Sequence, residues 1–516
     1  MKCDVLIVGG GTGGVAAALA LSDKGLSVIL TEESDWLGGQ HTSQIVPPDE
    51  HSWIEQFGCT RRYSELRRRV RQAYLNVRSK DRKVCTDVPF VDLNPGGGWV
   101  SRICAEPVIV HNQLELILSE IKRKPRVMYE TVAIGAKVDS DTVIAVQARC
   151  LRSGKETWIE PRFVLDATEL GDLLPLTGTE YVTGAESKAE TGEPHAIDGP
   201  HDPNNVQSFT WCAAIGYDPG GDHTISKPDN FDFWRKYVPP HWTGNLLDLT
   251  FPNVRTGEPM TLPLFAISDL PDERTLFGYR QIVDPSLYSK PVEAVTVMNW
   301  PQNDYMLGHV IDVDEATKQR HYERARQLTL SVLYWLQTEL GFKGLRLRPD
   351  ITGTEDGLAK APYHRESRRI KALRTVTEQD VTPDCNPGCQ IAPDMWDSVG
   401  VGAYRIDLHP SANGADTIDI SALPFQIPLG ALVPVRMKNL LPACKNIGTT
   451  HITNGCFRLH PIEWNIGESA GLLACFCLSN DIGPQEVLAD KTVVREFQEL
   501  LVNEGVELAW PRLGPL

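Results

Sequence analysis

The run Gly9-Gly10-Gly11-Thr12-Gly13-Gly14 has the spacing most suited to chemistry in this chain. It fits G-x-G-x-x-G through Gly9, Gly11 and Gly14, with Thr12 and Gly13 between them. The chemistry of that spacing is the binding of a diphosphate. Gly9 permits a tight turn, Gly11 lets the phosphates approach the backbone, and Gly14 lets a helix pack on a strand. The helix start then offers unpaired N–H groups and partial positive charge. Glu32, 18 residues after Gly14, can accept hydrogen bonds from a ribose diol. An acid at that place suits an unphosphorylated ribose, so FAD or NAD fits and NADP is disfavoured.

Other candidates lie far downstream. Arg458-Leu459-His460-Pro461 stands just before Ile462–Cys477, a Gly-, Ala- and Leu-rich stretch. His451 sits in Thr449–Gly455, and Tyr363-His364-Arg365-Glu366-Ser367-Arg368-Arg369 is dense in hydrogen-bond donors. Arg365 or Arg368 could bind a carboxylate, and Tyr363 or His364 could move a proton. An internal ion-pair network is the alternative for that run.

These residues need elements to hold them. Val5–Val8 predicts a strand buried on both faces, and Val15–Lys24 a helix stopped by Gly25. Ser27–Leu30 predicts a second strand, ending beside Glu32. Pro461 suits the first turn of a late helix. Thr317–Leu340 predicts a long helix with Leu328, Val332, Trp335 and Leu336 on one face, and Pro291–Met298 alternates like a strand. Arg61–Lys83 reads as an amphipathic helix through Tyr63, Leu66, Val70, Ala73 and Val77. Its basic outer face pairs with acidic neighbours or, alternatively, docks an acidic redox partner.

Further motifs carry a family resemblance. Trp36-Leu37-Gly38-Gly39-Gln40 resembles the E-x(4–6)-G-G signature of flavoproteins related to glutathione reductase, succinate dehydrogenase and fumarate reductase. Phe163-Val164-Leu165-Asp166-Ala167-Thr168-Glu169 resembles their D-A-T-G/E segment, and Arg126–Thr131 resembles the strand that precedes it. Asn439–Gly448, which includes Asn446, reads as a strand and glycine turn. The chain as a whole resembles a family of FAD-dependent oxidoreductases. There is no second glycine fingerprint, since Gly400-Val401-Gly402 leads into an alternating run.

The resemblance implies an α/β fold with a discontinuous Rossmann-like FAD-binding domain and an inserted α+β cap. The boundaries are 1–174 and 421–490 for the FAD domain, 175–420 for the cap, and 491–516 for a terminal helix and tail. It implies that Gly39, Gln40, His41 and Thr42 run along the cofactor, that the Val132 backbone meets adenine, and that Thr168 and Asn446 lie near the cofactor. Arg458 and His460 then sit at the flavin pyrimidine edge, where the last helix directs its positive end. In the succinate dehydrogenase branch a histidine close to the place of His41 is bonded to the flavin. Here His41 either carries that bond or lines the loop without one. Trp300 or Trp464 could wall the flavin, or pack in the core.

The implied activity is hydride transfer between a small organic substrate and flavin N5, of dehydrogenase or oxidase type. His460, His451 or His364 would act as base, with arginines fixing the substrate. One alternative is a monooxygenase, although the D-G-x-x-S-x-V-R segment of aromatic hydroxylases is missing. The other is a non-redox protein with FAD as a structural or sensing ligand.

Composition bounds the rest. The 516 residues are 41% hydrophobic and 23% charged, ordinary globular values. A net charge of −16 disfavours nucleic acid and anionic membranes. No stretch near the N-terminus reads as a membrane span or a secretory signal, and the scattered cysteines fit a cytoplasmic enzyme. Cys385 and Cys389 lack the second pair that a zinc site needs, so no metal is expected. The electron acceptor is not encoded in any motif, and a homo-oligomer stays open.

Overall fold

The computed structural model describes residues 1–76, 83–84, 87–267 and 274–511. The chain begins with strand β1 (Lys2–Val8), helix α1 (Thr12–Asp23) and strand β2 (Val28–Thr31). Strands β1 and β2 pair in parallel, with Val5 opposite Val28. Val5, Leu6 and Ile7 are fully buried, as a strand covered on both faces requires. Strand β3 (Arg126–Met128) adds beyond β2. The strand expected over 126–131 breaks at Glu130, which takes φ +50.

Thr131 then opens a hairpin of β4 (Thr131–Asp139) and β5 (Thr142–Cys150), turning through Ser140 and Asp141 at positive φ. Strand β6 (Glu156–Asp166) has two jobs. Its first part is the antiparallel partner of β5. From Glu160 it runs parallel to β1, and at Val164–Asp166 it also pairs with β7 (Leu440–Pro442). The two ends of the chain therefore share one sheet.

The basic segment folds as helix α2 (Arg61–Leu75), capped by Thr60; Val77 lies outside the described residues. Its arginines are not all on an outer face. Arg67 and Arg71 are buried. Arg67 pairs with Glu50 and Glu55, and Arg71 donates to Glu55 at 2.5 Å and to the Leu93 carbonyl at 3.0 Å. Arg68 and Arg69, nearer the surface, pair with Glu65 and Glu120. The segment is an ion-pair network rather than a bare basic patch.

The middle of the chain builds a second core. Its antiparallel sheet runs Gln281–Val283, Val295–Met298, Ala213–Tyr217, Leu345–Leu347. The strand expected from Pro291 begins only at Val295. Helix α3 (Glu315–Thr338) is capped by Asp314 and buries Leu328, Val332, Trp335 and Leu336. Ile45, Val46 and Leu170 join this core, so it includes part of the loop after β2 and of the segment after β6.

The first core reaches further into the middle of the chain than residue 420 suggests: Val376, Val381, Val399, Ile406 and Leu408 pack within it. Helix α4 (His451–Phe457), capped by Thr450, has no counterpart in the sequence reading. Helix α5 (His460–Asn480) has Pro461 in its first turn and is buried from His460 through Cys477. Ser469 and Asn465 of α5 donate to the Val399 carbonyl, which draws residues 398–402 into the first core.

Cys385 and Cys389 flank a turn in which Asn386 donates to the carbonyls of Gln379 and Thr382. Among the described residues no His, Cys, Asp and Glu cluster could hold a metal ion, and no helix is long and apolar enough to cross a membrane.

Helix α1 lies directly on α5. A Cβ on Gly467 would stand 2.0 Å from the Gly13 carbonyl oxygen, and one on Gly471 would stand 3.0 Å from that of Ala17. Backbone meets backbone, and no side chain can yield. Gly467→Ala is therefore expected to cost about 2–3 kcal/mol and lower the thermal midpoint. Gly244→Ala, where a Cβ meets nothing within 4 Å, should change stability by no more than about 0.5 kcal/mol. Thermal melts of the two variants check the pair.

Candidate active site

The glycine loop is shaped by its neighbours. Gly9 has φ +101, and a Cβ there would stand 2.3 Å from the Ala167 carbonyl oxygen. A Cβ on Gly14 would stand 1.9 Å from the Gly9 oxygen. No side chain caps α1 at Gly11, and Thr12, Gly13 and Gly14 are buried. A buried, uncapped helix start is a place for an anion.

The acid after β2 is in position. Glu32 Oε2 accepts from the Gly10 N–H at 3.0 Å, and Oε1 accepts from Ser34 N and Oγ at 2.9 and 2.6 Å. Burial pushes its carboxyl up to about 7, against the pull of those bonds. Oε2 keeps a lone pair for a ribose hydroxyl. The Thr131 N–H bonds the Glu32 carbonyl at 2.8 Å, which sets the half-buried Val132 beside it.

Three expected cofactor contacts use their side chains internally. Thr168 donates its hydroxyl to Asp166 at 2.7 Å and accepts from the Asp172 N–H. Asn446 donates to the Asp166 carbonyl at 3.0 Å and accepts from Cys444 N. Thr42 donates to the Leu37 carbonyl at 2.6 Å. These bonds fix the orientation of the three side chains.

The loop after β2 meets the α4–α5 junction. Gly39-Gln40-His41 makes one tight turn, and Thr12 Oγ1 donates to the Gly38 carbonyl at 3.1 Å. Gln40 Nε2 donates to the Arg458 carbonyl at 3.0 Å. The His41 and His460 rings meet edge-on, 4.6 Å apart. His460 Nδ1 accepts from the Asp49 N–H at 3.2 Å, so the proton of the neutral ring lies on Nε2. Arg458 donates to the Tyr363 hydroxyl at 2.7 Å and to the Asp407 carboxylate at 3.2 Å.

Buried polar atoms without partners gather here: Gln40 Oε1, His41 Nε2, Gln44 Oε1, Asn454 Nδ2, Arg458 Nε and His460 Nε2. Each such orphan costs about 1–3 kcal/mol if nothing meets it. A ring bearing several acceptors and donors, such as an isoalloxazine, fits this set. Burial lowers His41 to about 4 and His460 well below its ordinary value, so both are neutral.

The cap run divides differently from the substrate-binding expectation. Arg365 donates to the Ser208 carbonyl and Thr210 hydroxyl at 3.0 Å and pairs with Asp304 at 2.9 Å. Arg368 pairs with Asp312 at 2.9 Å and Asp172 at 3.0 Å. Both arginines are thereby spent on internal carboxylates, the network alternative. His364 is buried against the Tyr322 hydroxyl at 3.1 Å, and burial drives it well below its ordinary value. His451 is held by Glu366 at 2.9 Å and lines a cavity of about 230 Å³ with Glu186 and His195. Trp300 packs in the second core, and Trp464 lies against Tyr63 with its N–H on Glu468. These are core roles.

The structure adds residues that sequence reading missed. His409 Nδ1 lies 2.6 Å from Asp304 Oδ2, and its Nε2 lies 3.6 Å from Asp407 Oδ2. Burial works to raise the Asp407 carboxyl, but His409 and Arg458 outweigh it and hold the carboxyl well below its usual range. Asp304 behaves likewise between Arg365 and His409. Arg280 is buried on Asp49 at 3.3 Å, with Nε unpartnered. The alternation around Asp407 hinted at a strand only. Asp304 is 105 residues from His409, and no local pattern joins them.

Residues 4–501 match the family described as FAD dependent oxidoreductase. A short stretch resembles flavin-containing amine oxidase B: the Rattus norvegicus protein is 56% identical over 39 residues, 8% of each chain. The Homo sapiens protein is 54% identical over 39 residues, so the match spans 8% of these curated relatives' length. Among solved structures, glycerol-3-phosphate dehydrogenase from Bacillus halodurans, complexed with FAD, is 12% identical with a TM-score of 0.23, covering 42% of this chain and 40% of that one. The p-nitrophenol 4-monooxygenase from Pseudomonas putida DLL-E4 is 12% identical with a TM-score of 0.31, covering 72% and 70%. At these scores the likenesses assign no reaction. On its match over residues 4–501, the chain belongs to the FAD-dependent oxidoreductase family, and its cofactor is FAD.

Proposed function

We propose that this oxidoreductase dehydrogenates a small organic substrate, with His409 as the base. When bound, FAD supplies the hydride acceptor of such a reaction. Gly9–Gly14 and Glu32 would hold its adenosine diphosphate end. Gln40, His41, Arg458 and His460 would hold the ring, and the positive start of α5 favours a group that gains negative charge.

The observation that carries the reading is the His409–Asp304 pair. A carboxylate only accepts, so Nδ1–H donates to Asp304, and Nε2, 3.6 Å from Asp407 Oδ2, is the ring nitrogen left to exchange a proton with substrate. The His409 side chain is 25% exposed, whereas His364, His451 and His460 are buried. It can take the proton of a substrate O–H or N–H while hydride leaves the adjacent carbon. A C=O or C=N bond forms, and the two electrons leave with the hydride. Arg458 on Asp407, next to His409, connects the base to the α5 start. A cavity of about 290 Å³ opens beside Pro410, walled by Tyr237, Trp242, Met306 and Leu307. It suits a substrate with an apolar body.

Two outcomes are expected. Anaerobic mixing with sugars, amino acids, hydroxy acids and aromatic metabolites should find a class that bleaches the bound flavin. His409→Gln should retain FAD yet slow that bleaching by about 10²–10⁴-fold. Equal rates would remove His409 from the chemistry, and an oxygen-dependent hydroxylated product would replace dehydrogenation. The second concerns His41, which we place along the loop without a covalent bond. Acid precipitation should then release the flavin to the supernatant; flavin kept on the pellet, and lost with His41→Ala, would assign the bond instead.

A further inference from the structure

One buried ion pair stands where the diphosphate belongs. The Lys445 side chain is 0% exposed, and its Nζ pairs with Glu169 Oε2 and, at 3.4 Å, with Glu463 Oε1. Glu169 Oε1 lies 3.0 Å from where a Cβ on Gly11 would stand, and 3.0 Å from where one on Gly39 would stand. The same Gly39 point is 3.3 Å from the Thr12 nitrogen. The carboxylate therefore rests against the uncapped start of α1, where an anion is favoured.

We infer that Glu169 is a resident anion of the phosphate cradle, and that Lys445 passes from Glu169 to the diphosphate when FAD enters. The inference goes beyond the proposed reaction and does not depend on it.

The charges require such an exchange. Lys445 is shared between Glu169 and Glu463, and a diphosphate brings further negative charge to the same place. Lys445 has no route to solvent, so it must serve whichever anion occupies the cradle. Glu463 cannot leave, because it sits fully buried in the first turn of α5. Burial drives its carboxyl up, over the pull of Lys445. Glu169 can leave, because its side chain is 23% exposed. Glu33 and Asp172 lie on its outer side, and Asp166 and Cys444 lie near Lys445. Lys318 and Arg368 stand on that outer side, Arg368 on Asp172 at 3.0 Å, while Lys445 is the cation in direct contact with Glu169. A carboxylate that mimics the ligand's charge keeps the helix start and the lysine satisfied until the ligand displaces it, at a cost in affinity.

The test uses the full chain, purified flavin-free from riboflavin-starved cells and titrated calorimetrically with FAD, ADP and adenosine. Glu169→Gln keeps the size and removes the competing charge, so it should bind FAD and ADP about tenfold more tightly. Lys445→Met should bind both at least about tenfold more weakly, alone and in the Glu169→Gln background. Adenosine, which has no phosphate, should bind all three proteins as it binds the unaltered chain. Glu169→Gln binding FAD no more tightly would overturn the inference. So would Lys445→Met binding ADP normally, or adenosine tracking FAD across the variants. Circular dichroism reports folding; if Lys445→Met does not fold, the Glu169→Gln comparison decides alone.

Discussion

The contact between Gly13 and Gly467 is the constraint on which the rest of the molecule depends. Two helices separated by most of the chain touch backbone to backbone: a Cβ on Gly467 would strike the Gly13 carbonyl oxygen, and one on Gly13 the Ala443 carbonyl oxygen at 1.8 Å. Their starts are neighbours as a result, since a Cβ on Gly13 would stand 3.1 Å from the Glu463 carbonyl oxygen. Neither start has a side-chain cap, at Gly11 or at Leu459. Two positive helix ends side by side, buried and uncapped, form an anion site by construction. The parallel pairing of β7 with β6 fixes the same meeting from the sheet side.

Buried charge does the remaining positioning. Arg458 ties the α4–α5 junction to Tyr363 and Asp407. Arg368 ties the cap to Asp172 and the Leu170 carbonyl, and Arg365 holds Asp304 against His409. Buried ion pairs of this kind contribute little net stability, because desolvation offsets attraction. They are directional, however, and removing one partner strands the other. In this chain they join segments remote in sequence, and Asp304 orients the imidazole of His409 through Nδ1.

The N-terminal unit was legible because its signals are local. Apolar strand, glycines, helix and acid lie within the first 32 residues, and each obeys a short-range rule. The α3 stripe was legible for the same reason. The Thr168 side chain closes the local turn after β6, and that of Asn446 fastens β6 to the turn after β7, a role visible only once the two ends meet. Substrate binding and an internal network stayed open for Arg365 and Arg368 because their acids, Asp304, Asp312 and Asp172, are remote in sequence. The same remoteness hid His409 and the pairing of Glu169 with Lys445. Helix α4 escaped because it has only seven residues, too few for a periodic pattern to show.

Hydrogen exchange on the full chain with and without FAD tests the central claim, that both ends of the polypeptide clasp one cofactor. The account predicts that protection rises together in residues 9–14, 38–46, 166–170 and 444–463. Protection confined to the first 46 residues, with 444–463 unchanged, would contradict it.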